Sequence, residues 1–195
     1  LCLGDKIRLD RAEALALVKA QNPENHLVQH ALASEAVLRA LAVRLGHDAD
    51  LWGMAGLVHD IDYPLTADNM REHGYIGADM LAGKLPDEII KAVRAHNPKP
   101  DDAGSQPAAP LDFALRCGET VTGLISAAAL VRPTGLEGLQ ASSLKKKMKD
   151  KAFAASVNRE TIKECDRLGL ELGEFLDLAV AAMTPLAEEL GLAKG

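Results

Sequence analysis

Apolar residues in this chain return every third or fourth position, and strict two-residue alternation never persists. That spacing draws one face of an α-helix and does not fit a half-buried strand. Ala and Leu dominate the apolar set, while Phe, Trp and Tyr together make up only 3%, so intrinsic propensity points the same way. The pattern predicts an all-α protein with an aliphatic core.

Helix-breaking residues mark the joints. The spacing predicts helices over about 10–20, then 24–45 with Gly46 as a left-handed cap, then from Asp48 or Asp50 into His59-Asp60. Tyr63-Pro64 is expected to end that third helix. Further helices are expected over 69–83, from Pro86 to His96, and over 111–131, with a proline-rich loop over 97–110. Three more are expected near 142–155, 158–168 and 172–190, the last kinked or split by Pro185.

The 195 residues are 48% hydrophobic, which suits a single helical domain over 1–195. A net charge of −6 argues against a protein dedicated to nucleic acid, whose footprint is basic, but allows a small phosphorylated substrate. Cys2, Cys117 and Cys165 are scattered and offer neither a disulfide framework nor a CxxC knuckle. They read as reduced thiols of a cytoplasmic protein. No apolar run is expected to cross a membrane, and the first residues do not resemble a signal peptide.

The informative polar residues are histidines. His30 lies three residues after Leu27 and seven before Val37, on the buried stripe of its helix; alone it reads as a core histidine. His59-Asp60 ends the apolar run LWGMAGLVHDID, so both side chains start close to the interior. A buried carboxylate needs a strong partner, and a metal ion is one. His47-Asp48 is the same dipeptide, but it follows Gly46 in a polar turn and reads as a helix start. Singly, His73 reads as a surface or helix-end residue and His96 as a helix C-terminal cation.

The ordered set His30, His59-Asp60 and a later acidic residue resembles the HD superfamily of metal-dependent phosphohydrolases. The likeness covers roughly 24–130, and SSLKKKMKDKAFAASVNRE is similar to the C-terminal part of bacterial predicted HD hydrolases. It implies an HD-domain helical core over 24–130, with a C-terminal extension over 140–195 packed upon it. It also implies a metal held by His30, His59 and Asp60. The matching distal ligand is Glu119, within ALRCGETVTGLISAA, where the family pattern has Asp; Asp112 is a weaker substitute. His73, in HGYIGADML, and His96, in AVRAHNPKP, resemble the extra ligands of the family's binuclear branch, with Asp60 as the bridge.

Mixed imidazole and carboxylate ligands suit one or two divalent transition-metal ions such as Fe, Mn, Zn, Co or Ni. The expected reaction is hydrolysis of a phosphomonoester, phosphodiester or nucleotide by a metal-activated water. Asp60 and Asp62 are the candidate catalytic carboxylates; Asp62 would orient the attacking water or hold a ligand in place, unless it is a plain turn residue. His26, one turn from His30, faces either the edge of the site or solvent. Arg94, Lys145, Lys146 and Lys149 are candidate substrate contacts, although a solvated helix face is the better account of most of the lysines. Two other readings stay open: a metal- or ligand-binding regulatory module weakened by Glu119, and a di-iron oxygenase. The sequence does not determine the oligomeric state.

Overall fold

The structure, a computed structural model, describes residues 9–194. Cys2 lies outside them. The described residues form ten α-helices joined by turns and short 3-10 segments, with no strand among them. In chain order the helices are α1 (Arg11–Gln21), α2 (Asn25–Leu45), α3 (Ala49–Val58), α4 (Tyr63–Thr66) and α5 (Tyr75–Leu81). Then come α6 (Asp87–His96), α7 (Pro110–Leu130), α8 (Ala141–Lys149), α9 (Arg159–Lys163) and α10 (Leu172–Met183). The all-α expectation holds.

Local chemistry sets most of the ends. Asp10 and Glu13 form a reciprocal cap at the start of α1, at 2.8 and 2.9 Å. Asp48 accepts from the amides of Asp50 and Leu51 and opens α3, so His47-Asp48 is a capped start and His47 stacks on Trp52. Asp112 accepts from the amides of Ala108 and Ala109 at the start of α7. That engagement removes it as an alternative distal ligand.

The core joins α2, α3 and α7. Leu38 and Leu41 of α2, Leu57 of α3, and Leu115 and Leu124 of α7 are fully or almost fully buried, each contributing about 2 kcal/mol from apolar burial. Truncation of Leu38 to Ala would leave a cavity and cost about 3 kcal/mol. Helices α2 and α3 approach unusually closely at Gly56. A Cβ there would lie 2.7 Å from the Ser34 carbonyl oxygen, so a side chain would force the helices apart. This approach brings His59, three residues on, toward His30. At the other end of the chain, α10 packs on α2, α7 and α8.

Several expected boundaries shift. Tyr63-Pro64 opens α4, with Pro64 in the first turn where its missing N–H is harmless. The helix expected over 69–83 is two pieces: a 3-10 turn at Met70–Glu72, then α5. Between them His73 is extended and Gly74 has φ 82°, a left-handed conformation suited to glycine. Asp62 enforces this break by taking the Gly74 and Gly77 amides, at 2.9 and 2.7 Å. The expected helix over 142–155 stops at Lys149, and the one over 158–168 tightens to 3-10 after Lys163. The last ends at Met183 and passes into a 3-10 turn containing Pro185, whose ring lacks the amide a continuing helix needs.

By length and composition α7 could cross a membrane, contrary to the sequence expectation, but over half of that apolar window is buried inside the protein. It is the central core helix. Cys117 on α7 and Cys165 are buried free thiols.

Candidate metal centre

Four histidine rings and one carboxylate from separate parts of the fold meet in one cluster. His30 comes from the second turn of α2 and His59 from the residue after α3; Asp60 follows it, His73 precedes α5, and His96 ends α6. Asp60 Oδ1 lies 3.2 Å from His59 Nε2, 3.1 Å from His73 Nε2 and 3.6 Å from His96 Nε2. Its Oδ2 lies 3.5 Å from His30 Nε2. Two groups therefore share Asp60, one with His30 and His59 and the other with His73 and His96.

Each ring is turned by a partner at Nδ1. His59 Nδ1 donates to the Gly56 carbonyl at 2.8 Å and His96 Nδ1 to the Val93 carbonyl, both three residues back. His73 Nδ1 donates to Asp62 Oδ1 at 2.9 Å. For His30 the partner is Thr122: its hydroxyl donates to the Glu119 carbonyl at 2.7 Å, leaving its oxygen to accept from His30 Nδ1 at 2.9 Å. Protons at Nδ1 leave the Nε2 lone pairs for a cation.

Those nitrogens crowd one another. His30 Nε2 and His59 Nε2 are 3.2 Å apart, and His73 Nε2 and His96 Nε2 are 3.0 Å apart. Two imidazole lone pairs at that separation need a shared proton or a shared cation. The two contacts lie about one carboxylate, and each histidine pair with Asp60 could hold a divalent cation.

Protonation in the metal-free protein follows from burial and Asp60. Burial pushes His30 down to about 4 against the pull of Asp60, and it likewise lowers His96. At His59 burial is outweighed by the charge and hydrogen bond of Asp60, so its pKa is raised. At His73 Asp60 and Asp62 together overcome burial and raise it to about 9. Burial works to raise Asp60, but the surrounding histidines hold it well below the usual carboxylate range. Glu119 is pushed up to about 7, chiefly by burial.

Glu119 stands at the edge. Its Oε2 is 3.8 Å from His30 Nε2, while Thr120 donates to Oε1. Asp62 is fully buried behind His73, and its oxygens are engaged by His73 and the Gly74 and Gly77 amides. Asp62 holds the His73 ring in place, and both of its oxygens are taken up by protein donors.

The proposed substrate cations are not at this centre. Arg94 lies over Tyr75, 5.2 Å from the ring centroid, and reaches Asp79 at 3.4 Å. Lys145 and Lys149 line a separate cleft of about 630 Å³ with Lys151 and Lys163, and Lys146 is exposed and lines neither cleft. A cleft of about 760 Å³ opens over His30, Asp60 and Glu119, flanked by His26, Tyr63, Ser126 and Ser156, with Leu27, Leu130, Leu190 and Leu192 forming apolar walls.

Sequence reasoning missed Thr122 and Arg116. Thr122 sits one turn beyond Glu119 on α7, a spacing that carries some signal. Arg116 donates to the His96 carbonyl at 3.0 Å and to Glu164 at 2.7 Å, joining the end of α6 to the segment after α9. The turning carbonyls of Gly56 and Val93 carry no side-chain signal.

An HD domain matches residues 27–151, and the chain belongs to the HD-domain family. It is 30% identical over 141 residues to ribonuclease Y of Desulfotalea psychrophila, a match covering 69% of this chain and 26% of that protein. The match spans about a quarter of the relative's length. The fold resembles the crystal structure of the HD domain of the L. monocytogenes phosphodiesterase PgpH, with a TM-score of 0.54 and 14% identity. That alignment covers 89% of this chain and 98% of the other. HD domains bind divalent metals, and the His/Asp clusters here are of that kind.

Proposed function

We propose that this protein is a two-metal phosphohydrolase acting on a small phosphomonoester, phosphodiester or nucleotide. The observation that carries the reading is the convergence of four imidazole Nε2 atoms on one carboxylate, paired at 3.2 and 3.0 Å. His30, His59 and Asp60 would hold one ion, with Glu119 as the candidate fourth ligand, and Asp60, His73 and His96 would hold the other. Bound ions of this kind supply Lewis acidity to a phosphate oxygen and lower the pKa of a water molecule.

The chain's own residues do the rest. Asp62, Thr122 and the Gly56 and Val93 carbonyls fix ring orientation before substrate arrives, which lowers the reorganisation needed during reaction. Asp60 would be shared by both groups, because its oxygens lie 3.2 Å from His59, 3.5 Å from His30 and 3.1 Å from His73. Tyr63 and the leucine walls of the cleft give the organic part of a substrate an apolar surface beside the cluster. The likeness to a phosphodiesterase domain supports a phosphate-ester substrate.

One observation favours a second reading, metal binding without turnover. Glu119 stands outside both tight groups. The test counts metal per chain in protein purified without chelator, then screens phosphomonoesters, phosphodiesters and nucleotides with that metal. About two ions per chain with hydrolysis supports the proposal. Bound metal without hydrolysis supports the second reading. No metal, even after reconstitution, overturns both.

A further inference from the structure

The segment 150–158 connects α8 to α9 and carries the one non-glycine residue of positive φ among the described residues, Ala154 at φ 45°. A side chain in that region is strained, and strain persists only where the surroundings over-determine it. Here they do. Arg159 Nη1 donates to the Ala154 and Val157 carbonyls at 2.6 and 2.5 Å, and its Nη2 donates to the Asp150 and Phe153 carbonyls. Asp150 Oδ1 accepts from the Ala152 amide at 2.9 Å, and the Val157 amide donates to Ala154 at 3.0 Å. One planar guanidinium thus ties the loop from inside, a task a lysine ammonium does not reproduce.

The loop brings Ser156 to the cleft over the histidine cluster. Ser156 is exposed and lines two adjoining depressions that share His30, Glu119 and Gly123. Val157 lies against Gly123, one turn beyond Glu119 on α7. The strained residue, the guanidinium tie and the contact with α7 all fix the backbone that carries Ser156 beside the cleft.

We propose that Ser156 is a substrate-contacting residue, its hydroxyl donating to a phosphate oxygen of the substrate, and that Arg159 is the positioning residue that sets it. This rests on the phosphohydrolase reading. An exposed serine in a loop tied down by Arg159 is a specificity element: it recognises the phosphate group common to the substrates, while the leucine walls meet the remainder.

The test uses the full chain loaded with manganese. Calorimetry measures binding of inorganic phosphate, and kcat and KM are measured with bis(p-nitrophenyl) phosphate. Loss of one hydrogen bond to a charged oxygen predicts about tenfold weaker phosphate binding and a raised KM for Ser156→Ala, at unchanged metal content. Ser156→Thr restores both, and Arg159→Lys reproduces the Ser156→Ala loss without loss of metal. Phosphate binding by Ser156→Ala equal to that of the parent overturns this inference and leaves the proposed function standing. A parent protein that holds no metal and binds no phosphate overturns the proposed function, and this inference with it.

Discussion

Asp62 Oδ1 lies 2.9 Å from His73 Nδ1, so a carboxylate with no access to solvent decides which nitrogen of a neighbouring ring faces the metal cluster. The same carboxylate caps the start of α5 through the Gly74 and Gly77 amides. Ring orientation and the break in the chain at His73-Gly74 therefore share one cause. Asp62→Asn removes an acceptor from this set. It should reduce affinity at the His73/His96 group by about 10- to 100-fold and destabilise the fold by about 2 kcal/mol. Metal titration and thermal melting check the two effects separately.

The two groups around Asp60 predict distinct losses of metal. His96→Ala should leave one ion per chain, because His30, His59 and Asp60 remain together. Asp60→Ala removes the shared carboxylate and should leave none tightly held. Elemental analysis after dialysis against a mild chelator distinguishes these outcomes. Equal metal content in both variants would defeat the bridging role of Asp60.

Metal affinity should rise with pH. In the metal-free protein Glu119 lies at about 7 and His73 at about 9, both above their ordinary values, so at pH 6 each holds a proton that a cation must displace. His30 and His96 are lowered and compete less for protons. Binding releases protons, and affinity increases from pH 6 to pH 9, with the Glu119 contribution complete first. Chelator competition at several pH values measures the slope. A flat or falling profile would contradict the assignment of Glu119 and His73 as ligands.

Ala154→Gly should stabilise the protein by about 1 kcal/mol, because glycine adopts φ 45° without the clash of a Cβ. The greater freedom of glycine in the unfolded chain offsets part of that gain. Metal content should not change. Denaturant unfolding reads the shift directly.

Arg116 joins the carbonyl end of α6 to Glu164 across the His96 side of the centre. Arg116→Ala leaves Glu164 half-enclosed without its partner and frees the last turn of α6. A loss of about 2 kcal/mol is expected, together with weaker metal binding at the His96 group. Arg116→Lys should recover part of the stability and less of the metal affinity, since an ammonium cannot hold both acceptors in one plane. Melting and metal titration of the pair separate the two roles.

Helical spacing and the scarcity of aromatics were enough to read the all-α fold, because burying one face of a helix leaves a local, periodic trace. The joints at Gly46 and Asp48 were legible for the same reason: each acts on amides or carbonyls within a few residues of itself. His30, His59, Asp60, His73 and His96 could be picked out through their order and resemblance to a family. Their pairing across Asp60 depends on helices far apart in sequence, and only the packing of α2, α3 and α6 supplies it. The split of the helix expected over 69–83 was hidden because its cause, Asp62, lies 12 residues before Gly74. The lysines at 145, 146 and 149 do not line the cleft over the cluster, because charge on a helix does not determine which cleft that helix faces. Local sequence therefore determined the helices and the chemical types at the centre; the tertiary structure alone decided which nitrogens converge, which carboxylate is enclosed and which loop reaches the cleft, since long-range packing fixes those directions.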